Sequence, residues 1–161
     1  MKQEFQDKQS LEDLKSVGVI IVDHGSRRDE SNQMFELFVH TFKEHSQYSI
    51  VQPAHMELSE PTIETAFDAC VKQGATSIIV CPYFLLPGKH WDEDIPNLSR
   101  EAAKKHPDVK FLVSAPIGLH PMMQDVVSSR IDRCLKRVQG KAAECESCEG
   151  SDRCKLEGAD D

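Results

Sequence analysis

Four times between Val17 and Val138, a short apolar run is followed by a loop and then by a longer segment whose apolar residues recur at helical spacing. That alternation excludes an all-helical bundle and an all-antiparallel sandwich. It requires parallel strands joined by right-handed helical crossovers. The expected fold is therefore α/β: a single four-stranded parallel sheet with helices on both faces. The strand segments are VGVIIV (Val17 to Val22), SIVQPAHME (Ser49 to Glu57), TSIIVC (Thr76 to Cys81) and VKFLVS (Val109 to Ser114). The first helix is expected from about Asp29 to His45, with Met34, Phe35, Phe38, Val39 and Phe42 on one face. A second runs from Pro61 to Gln73 behind a cap at Ser59 and ends at Gly74. A third fits Trp91 to His106, stopped by Pro107, and a fourth fits Pro121 to Val138, stopped by Gly140.

A chain of 161 residues suits one core of ordinary size. No apolar run approaches the roughly 18 residues needed to span a bilayer, so no membrane partner is expected. The formal charge of −8 is concentrated after Gly140, where seven acids face three bases. Without a broad basic surface, nucleic acid is not an expected partner, although a local basic site stays open. Three segments follow: an N-terminal extension (1–16), an α/β domain (17–140) and an acidic, cysteine-containing tail (141–161), too polar to be core. The opening MKQEFQDKQSLEDLKS has neither a secretory apolar core nor transit-peptide composition, so any targeting segment is expected to have been removed.

In an open parallel sheet, ligands bind beyond the carboxyl ends of the strands. His24 follows the first strand, His55 and Glu57 close the second, His90 follows the third and His120 the fourth, while His40, His45 and His106 fall on helices. Imidazoles and a carboxylate gathered at one rim suit a divalent metal such as Fe2+, Co2+ or Ni2+, or act as bases near neutral pH. His24 and His90 are the metal and catalytic candidates. His24 sits in a glycine-bearing turn before a helix whose start offers N–H groups to anions. His55 and His120 read better as loop hydrogen-bonders. Glu57 divides evenly between a catalytic carboxylate and a partner for the following helix start.

Cys70 and Cys81 read as buried small hydrophobes. Cys145, Cys148 and Cys154 form C-x2-C-x5-C in the tail, with Cys134 upstream near the end of the last helix. Four thiolates are a complete set for zinc or for an iron–sulfur cluster, and spacing alone leaves both open.

The strings VDHGSRRDESN, AHMELSEPTI, CPYFLLPGKHWDEDIP and APIGLHP together resemble the small class II chelatases, most of all the plant chloroplast sirohydrochlorin ferrochelatases. The resemblance covers Val17 to Val138. It implies an enzyme that inserts Fe2+, as substrate, into sirohydrochlorin to give sirohaem, working as a homodimer of single α/β units in the chloroplast stroma. It assigns His24 and His90 to the metal, with Glu57 as an assisting base. The polycarboxylate macrocycle would be held by Ser26, Arg27, Arg28 and Lys89. The tail resembles the plant form's iron–sulfur segment, which implies a 2Fe–2S cluster on Cys134, Cys145, Cys148 and Cys154. Phe84, Leu85, Leu86 and Trp91 are expected near the dimer join or the substrate. Alternatives are a cobalt-inserting member of the same family and a metal or tetrapyrrole carrier without turnover. A histidine phosphatase-like hydrolase suggested by DHGS carries little weight, because Asp23 stands where that motif has arginine.

Overall fold

The structure is a computed structural model and describes residues 14–158. All but the last three positions of the expected N-terminal extension lie outside the described residues. The chain divides after Gly118 into two compact units. The first holds β1 (Val17–Asp23), α1 (Asp29–His45), β2 (Ile50–His55), α2 (Ile63–Lys72), β3 (Ser77–Pro82), α3 (Ile95–Ala103) and β4 (Lys110–Val113). The strands are all parallel in the order β2-β1-β3-β4.

β1 lies inside the sheet and is apolar on both faces, as a two-sided core strand must be. Ile20 and Val22 pack with Ile63, Phe67 and Ile95 on the face covered by α2 and α3. Val19 and Ile21 pack with Phe35 and Val39 under α1. The register sets Asp23 beside His55 and Val22 beside Pro82, so the segments after β1, β2 and β3 leave the sheet at one rim. Cys70 is fully buried, and burial pushes its thiol up to about 12. Cys81 is half-buried, against the α1-side core.

Three expected boundaries move for local reasons. β2 ends at His55, which leaves Glu57 in the turn beyond the strand rather than in it. α2 begins at Ile63 behind Thr62, whose side chain accepts from the Thr65 N–H, so Thr62 and not Ser59 is the cap. The third helix opens with a π-helical turn, His90–Asp94, and ends at Ala103.

In the second unit, α4 (Met122–Val138) contains no buried residue and leaves Val126, Val127, Ile131 and Leu135 exposed. The acidic segment after it folds into turns tied to α4 by Arg130–Glu146 (2.6 Å), Arg137–Glu144 (3.5 Å) and the Arg133 guanidinium donating to the Glu144 carbonyl (3.3 Å). Arginines on the helix thus order a polar sequence that has no core of its own. No helix among the described residues is long and apolar enough to cross a membrane.

Candidate metal and substrate site

β1 ends at Asp23, and the chain turns sharply through His24 and Gly25. Gly25 has φ +88, and a Cβ there would lie 2.0 Å from the Glu57 carbonyl oxygen, so only glycine fits. The chain beyond β2 is latched against this turn: Met56 N–H donates to the Asp23 carbonyl (2.8 Å) and Glu57 N–H to the His24 carbonyl (3.1 Å). The latch brings His24 Nε2 to 2.9 Å from Glu57 Oε1. His24 Nδ1 faces the Gly25 carbonyl oxygen (3.1 Å), an obligate acceptor, so Nδ1 carries a proton. Nε2 therefore confronts the carboxylate with either a second proton or a lone pair, and a cation between them satisfies both. As an ion pair this contact is about half exposed and worth only ~0.2–1 kcal/mol of stability. Its value lies in the chemistry of the pair rather than in the fold.

His90 comes from the π-helical turn after β3, a geometry frequent at functional sites. Its ring lies 5.1 Å from that of His24, edge to face. Asp94, one turn on, accepts from His90 Nδ1 at 2.7 Å, which leaves Nε2 as the free lone-pair nitrogen, the carboxylate–histidine pairing typical of metal ligands. Phe84 stacks on the other side of His90 at 6.2 Å. The loop carrying His90 is held by the Trp91 indole N–H donating to the Ser114 carbonyl (2.9 Å) and by Gly118 N–H donating to the Phe84 carbonyl (3.2 Å). A Cβ on Gly118 would collide with the Leu85 backbone, 1.6 Å from its carbonyl oxygen. Phe84 and Trp91 thus brace this loop, while Leu85 and Leu86 stand exposed. A groove of about 370 Å3 runs beside the site, lined by Met56, Glu57, His90, Asp94, Asn97 and Leu98.

Ser26 is engaged differently from the expected anion cradle. Its N–H donates to the Oδ1 of buried Asn32 (2.9 Å), its carbonyl accepts from Asn32 Nδ2 (2.8 Å), and its hydroxyl accepts from the Arg28 N–H (3.0 Å). Neither amide is free for a ligand. Arg27, Arg28 and Lys89 are exposed, and among the described residues none has an ion-pair partner in the chain, so their charges are open to an anion.

His55 is fully buried, with Nδ1 at 2.6 Å from Asp23 Oδ1 and Nε2 at 3.3 Å from Glu36 Oε1. His120 belongs to the second unit, where its Nδ1 accepts from the Met122 N–H at the start of α4 (3.2 Å). Both are hydrogen-bonders, as expected. Sequence reasoning passed over Asp94, Asn32 and Asp23. The i, i+4 spacing of His90 and Asp94 was a usable signal; Asn32, six residues from its partner Ser26, offered none.

In the second unit, Cys148 hydrogen-bonds to both Cys154 and Cys145, and the bond to Cys154 is the main reason its thiol rises to about 11. The Ser147 N–H, donating to Cys145 sulfur, pulls that thiol below its ordinary value. Cys134, Cys148 and Cys154 line one cavity of about 180 Å3. Arg137, one turn beyond Cys134, holds a buried Nε donor that has no partner among the described residues. The donor set fits a thiolate-ligated centre chemically. Among the described residues, however, no group of three or more histidine, cysteine or acidic side chains converges on a metal position.

The CbiX family model matches residues 18–134. The chain is 55% identical over 139 residues to the chloroplastic sirohydrochlorin ferrochelatase of Arabidopsis thaliana, covering 86% of this chain and 62% of that protein. It is 29% identical to a sirohydrochlorin cobaltochelatase of Sulfolobus acidocaldarius, covering 77% of this chain and 96% of that one. Among solved structures, the sirohydrochlorin chelatase SirB from Bacillus subtilis subspecies spizizenii, in complex with cobalt, superposes with a TM-score of 0.69 at 37% identity, covering 73% of this chain and 50% of that one. SirB from Bacillus subtilis with Fe3+ gives 0.68 at 36% identity, covering 76% and 47%. The chain thus spans about half to two thirds of the length of several of these relatives.

Proposed function

The chain belongs to the CbiX family, and from that membership and the grouping of His24, Glu57 and His90 we propose that it is a sirohydrochlorin ferrochelatase. The observation that carries this reading is the 2.9 Å approach of His24 Nε2 to a Glu57 carboxylate oxygen, with the His90 ring alongside at 5.1 Å. Insertion exchanges one Fe2+ for the two pyrrole N–H protons of the macrocycle. The protein must therefore hold iron loosely and accept protons at the same place. His24 and His90 receive the metal through their Nε2 atoms, and Glu57 and the imidazoles take up the released protons. Arg27, Arg28 and Lys89, exposed and without intrachain partners, receive the peripheral carboxylates. Ser26 contributes through its side of the turn, since its amide is bound to Asn32.

A groove of about 370 Å3 is small for a tetrapyrrole, given that pockets of roughly 300–1,000 Å3 serve drug-sized ligands. A second copy of the chain completes the enclosure as a homodimer, with exposed Leu85 and Leu86 near the join. The thiols of Cys134, Cys145, Cys148 and Cys154 would hold a 2Fe–2S cluster, which when bound would supply one-electron chemistry. The chloroplast stroma is the compartment this reading implies.

A second reading, Co2+ insertion by the same residues, is favoured by the cobalt complex of the solved relative. Both are tested by mixing the reduced protein anaerobically with sirohydrochlorin and either Fe2+ or Co2+ and following the macrocycle's absorption. Turnover above the protein-free rate, with a higher kcat/KM for Fe2+, is expected. A higher value for Co2+ selects the second reading, and stoichiometric uptake without turnover makes the protein a carrier.

A further inference from the structure

His55 does not line the groove that Glu57 and His90 share, yet it is fully buried and bonded to Asp23, the residue before His24. Its ring is enclosed between two carboxylates from different elements, Asp23 at the end of β1 and Glu36 on α1. Phe35 packs against it at 5.7 Å between ring centres. Its backbone N–H donates to the Pro61 carbonyl (2.7 Å), anchoring the return of the chain toward α2.

The connection to the metal site runs through one atom. Asp23 Oδ1 accepts both from His55 Nδ1 (2.6 Å) and from the Gly25 N–H (3.0 Å). The orientation of that carboxylate thus fixes the peptide between His24 and Gly25. On its other side, the same turn is confined by the Glu57 carbonyl, which leaves no room for a Cβ on Gly25. His55 sits two residues before Glu57 on the strand latched to the turn, so it holds both the segment bearing His24 and the segment bearing Glu57.

We propose that His55 is a positioning residue for metal capture, and that its bond to Asp23, rather than its contact with Glu36, sets the approach of His24 to Glu57. The inference rests on the chelatase reading above. It separates metal affinity from macrocycle binding, because Arg27, Arg28 and Lys89 do not touch this network. Partners that orient a metal ligand through another residue typically change metal affinity by about 10- to 100-fold when removed.

Two substitutions split the imidazole into its halves. His55→Asn keeps a donor where Nδ1 faces Asp23, whereas His55→Gln keeps one where Nε2 faces Glu36. Co2+ titrated alone and read by its visible d–d absorption reports metal capture without turnover, alongside KM for Fe2+, KM for sirohydrochlorin and Tm. His55→Gln is expected to weaken Co2+ binding about tenfold or more and to raise KM for Fe2+ in parallel, with KM for sirohydrochlorin unchanged. His55→Asn should restore most of the loss, and Glu36→Gln, which leaves the Asp23 bond intact, should stay within about twofold of wild type. Equal losses in both His55 variants that follow Tm, unchanged Co2+ binding in His55→Gln, or a shift confined to KM for sirohydrochlorin would each overturn the proposal. If wild type inserts metal and the variants match it, the role of His55 alone falls. If wild type neither binds Co2+ nor inserts metal, the chelatase reading itself falls.

Discussion

At the scale of single residues, the proposed function rests on the pair His24–Glu57, whose two side chains are not equivalent. In the proposed function His24 and His90 supply the nitrogen donors, so His24→Ala and His90→Ala should each remove most insertion activity while leaving Tm close to wild type, because both rings are roughly half exposed. Glu57→Gln keeps the shape but loses the charge and the base. Its expected cost is about 100-fold in kcat, the low end for a lost general base. Near-wild-type turnover in both histidine variants, after subtraction of the protein-free rate, would remove the assignment. That His24 and His90 come together at one rim was legible because each follows an apolar strand in a segment containing glycine. Asn32 was not, since amides are common near helix starts and its role depends on which backbone groups come within reach. At Ser26, likewise, the N–H groups look free in one dimension and are bonded within the chain in three.

At the scale of elements, periodicity located every strand and helix, and the errors fall at ends, where capping and turn geometry act. Ser59, Thr62 and Thr65 are all plausible cap chemistry in the sequence. The structure selects Thr62, whose Oγ1 accepts from the Thr65 N–H at 3.2 Å, while the Ser59 hydroxyl donates to the neighbouring Glu60 carbonyl. Thr62→Ala should therefore destabilise the protein by about 1 kcal/mol in urea unfolding, and Ser59→Ala should change it by less than roughly half of that. The reverse order would place the cap where the sequence alone suggested. The π-helical turn at His90 was invisible to pattern because one extra residue per turn leaves the apolar spacing of α3 almost unchanged. His90 stands at the start of that turn, and Asp94, four residues on, meets its Nδ1.

At the scale of the whole molecule, two assembly questions remain, and each has a decisive measurement. Light scattering across a dilution series should show a dimer, with specific activity falling as it dissociates; full activity from a monomer would mean that one groove suffices. The second concerns the tail. Its composition predicted a segment unable to build a core, and the structure agrees: its turns are tied down by Arg130, Arg133 and Arg137 of α4 rather than by apolar burial. Those are exposed charge contacts, each worth little alone, so they are weak holders for an ordered segment unless something else binds it. The four thiols are the candidates, for Cys148 hydrogen-bonds to both Cys145 and Cys154, and Cys134 lines one cavity with Cys148 and Cys154. Cys148, pushed up to about 11 chiefly by its hydrogen bond to Cys154, must lose its proton to become a metal ligand, so uptake should be accompanied by acidification of an unbuffered solution. Anaerobic purification followed by iron, sulfide and zinc analysis should find iron and acid-labile sulfide in equal amounts. Cys148→Ser should lose both while retaining insertion activity, and truncation after Gly140 should still insert metal. Zinc without sulfide would make the tail a structural knuckle. Loss of all insertion on truncation, in a chain that still melts cooperatively, would place the cysteine segment inside the catalytic apparatus instead of beside it.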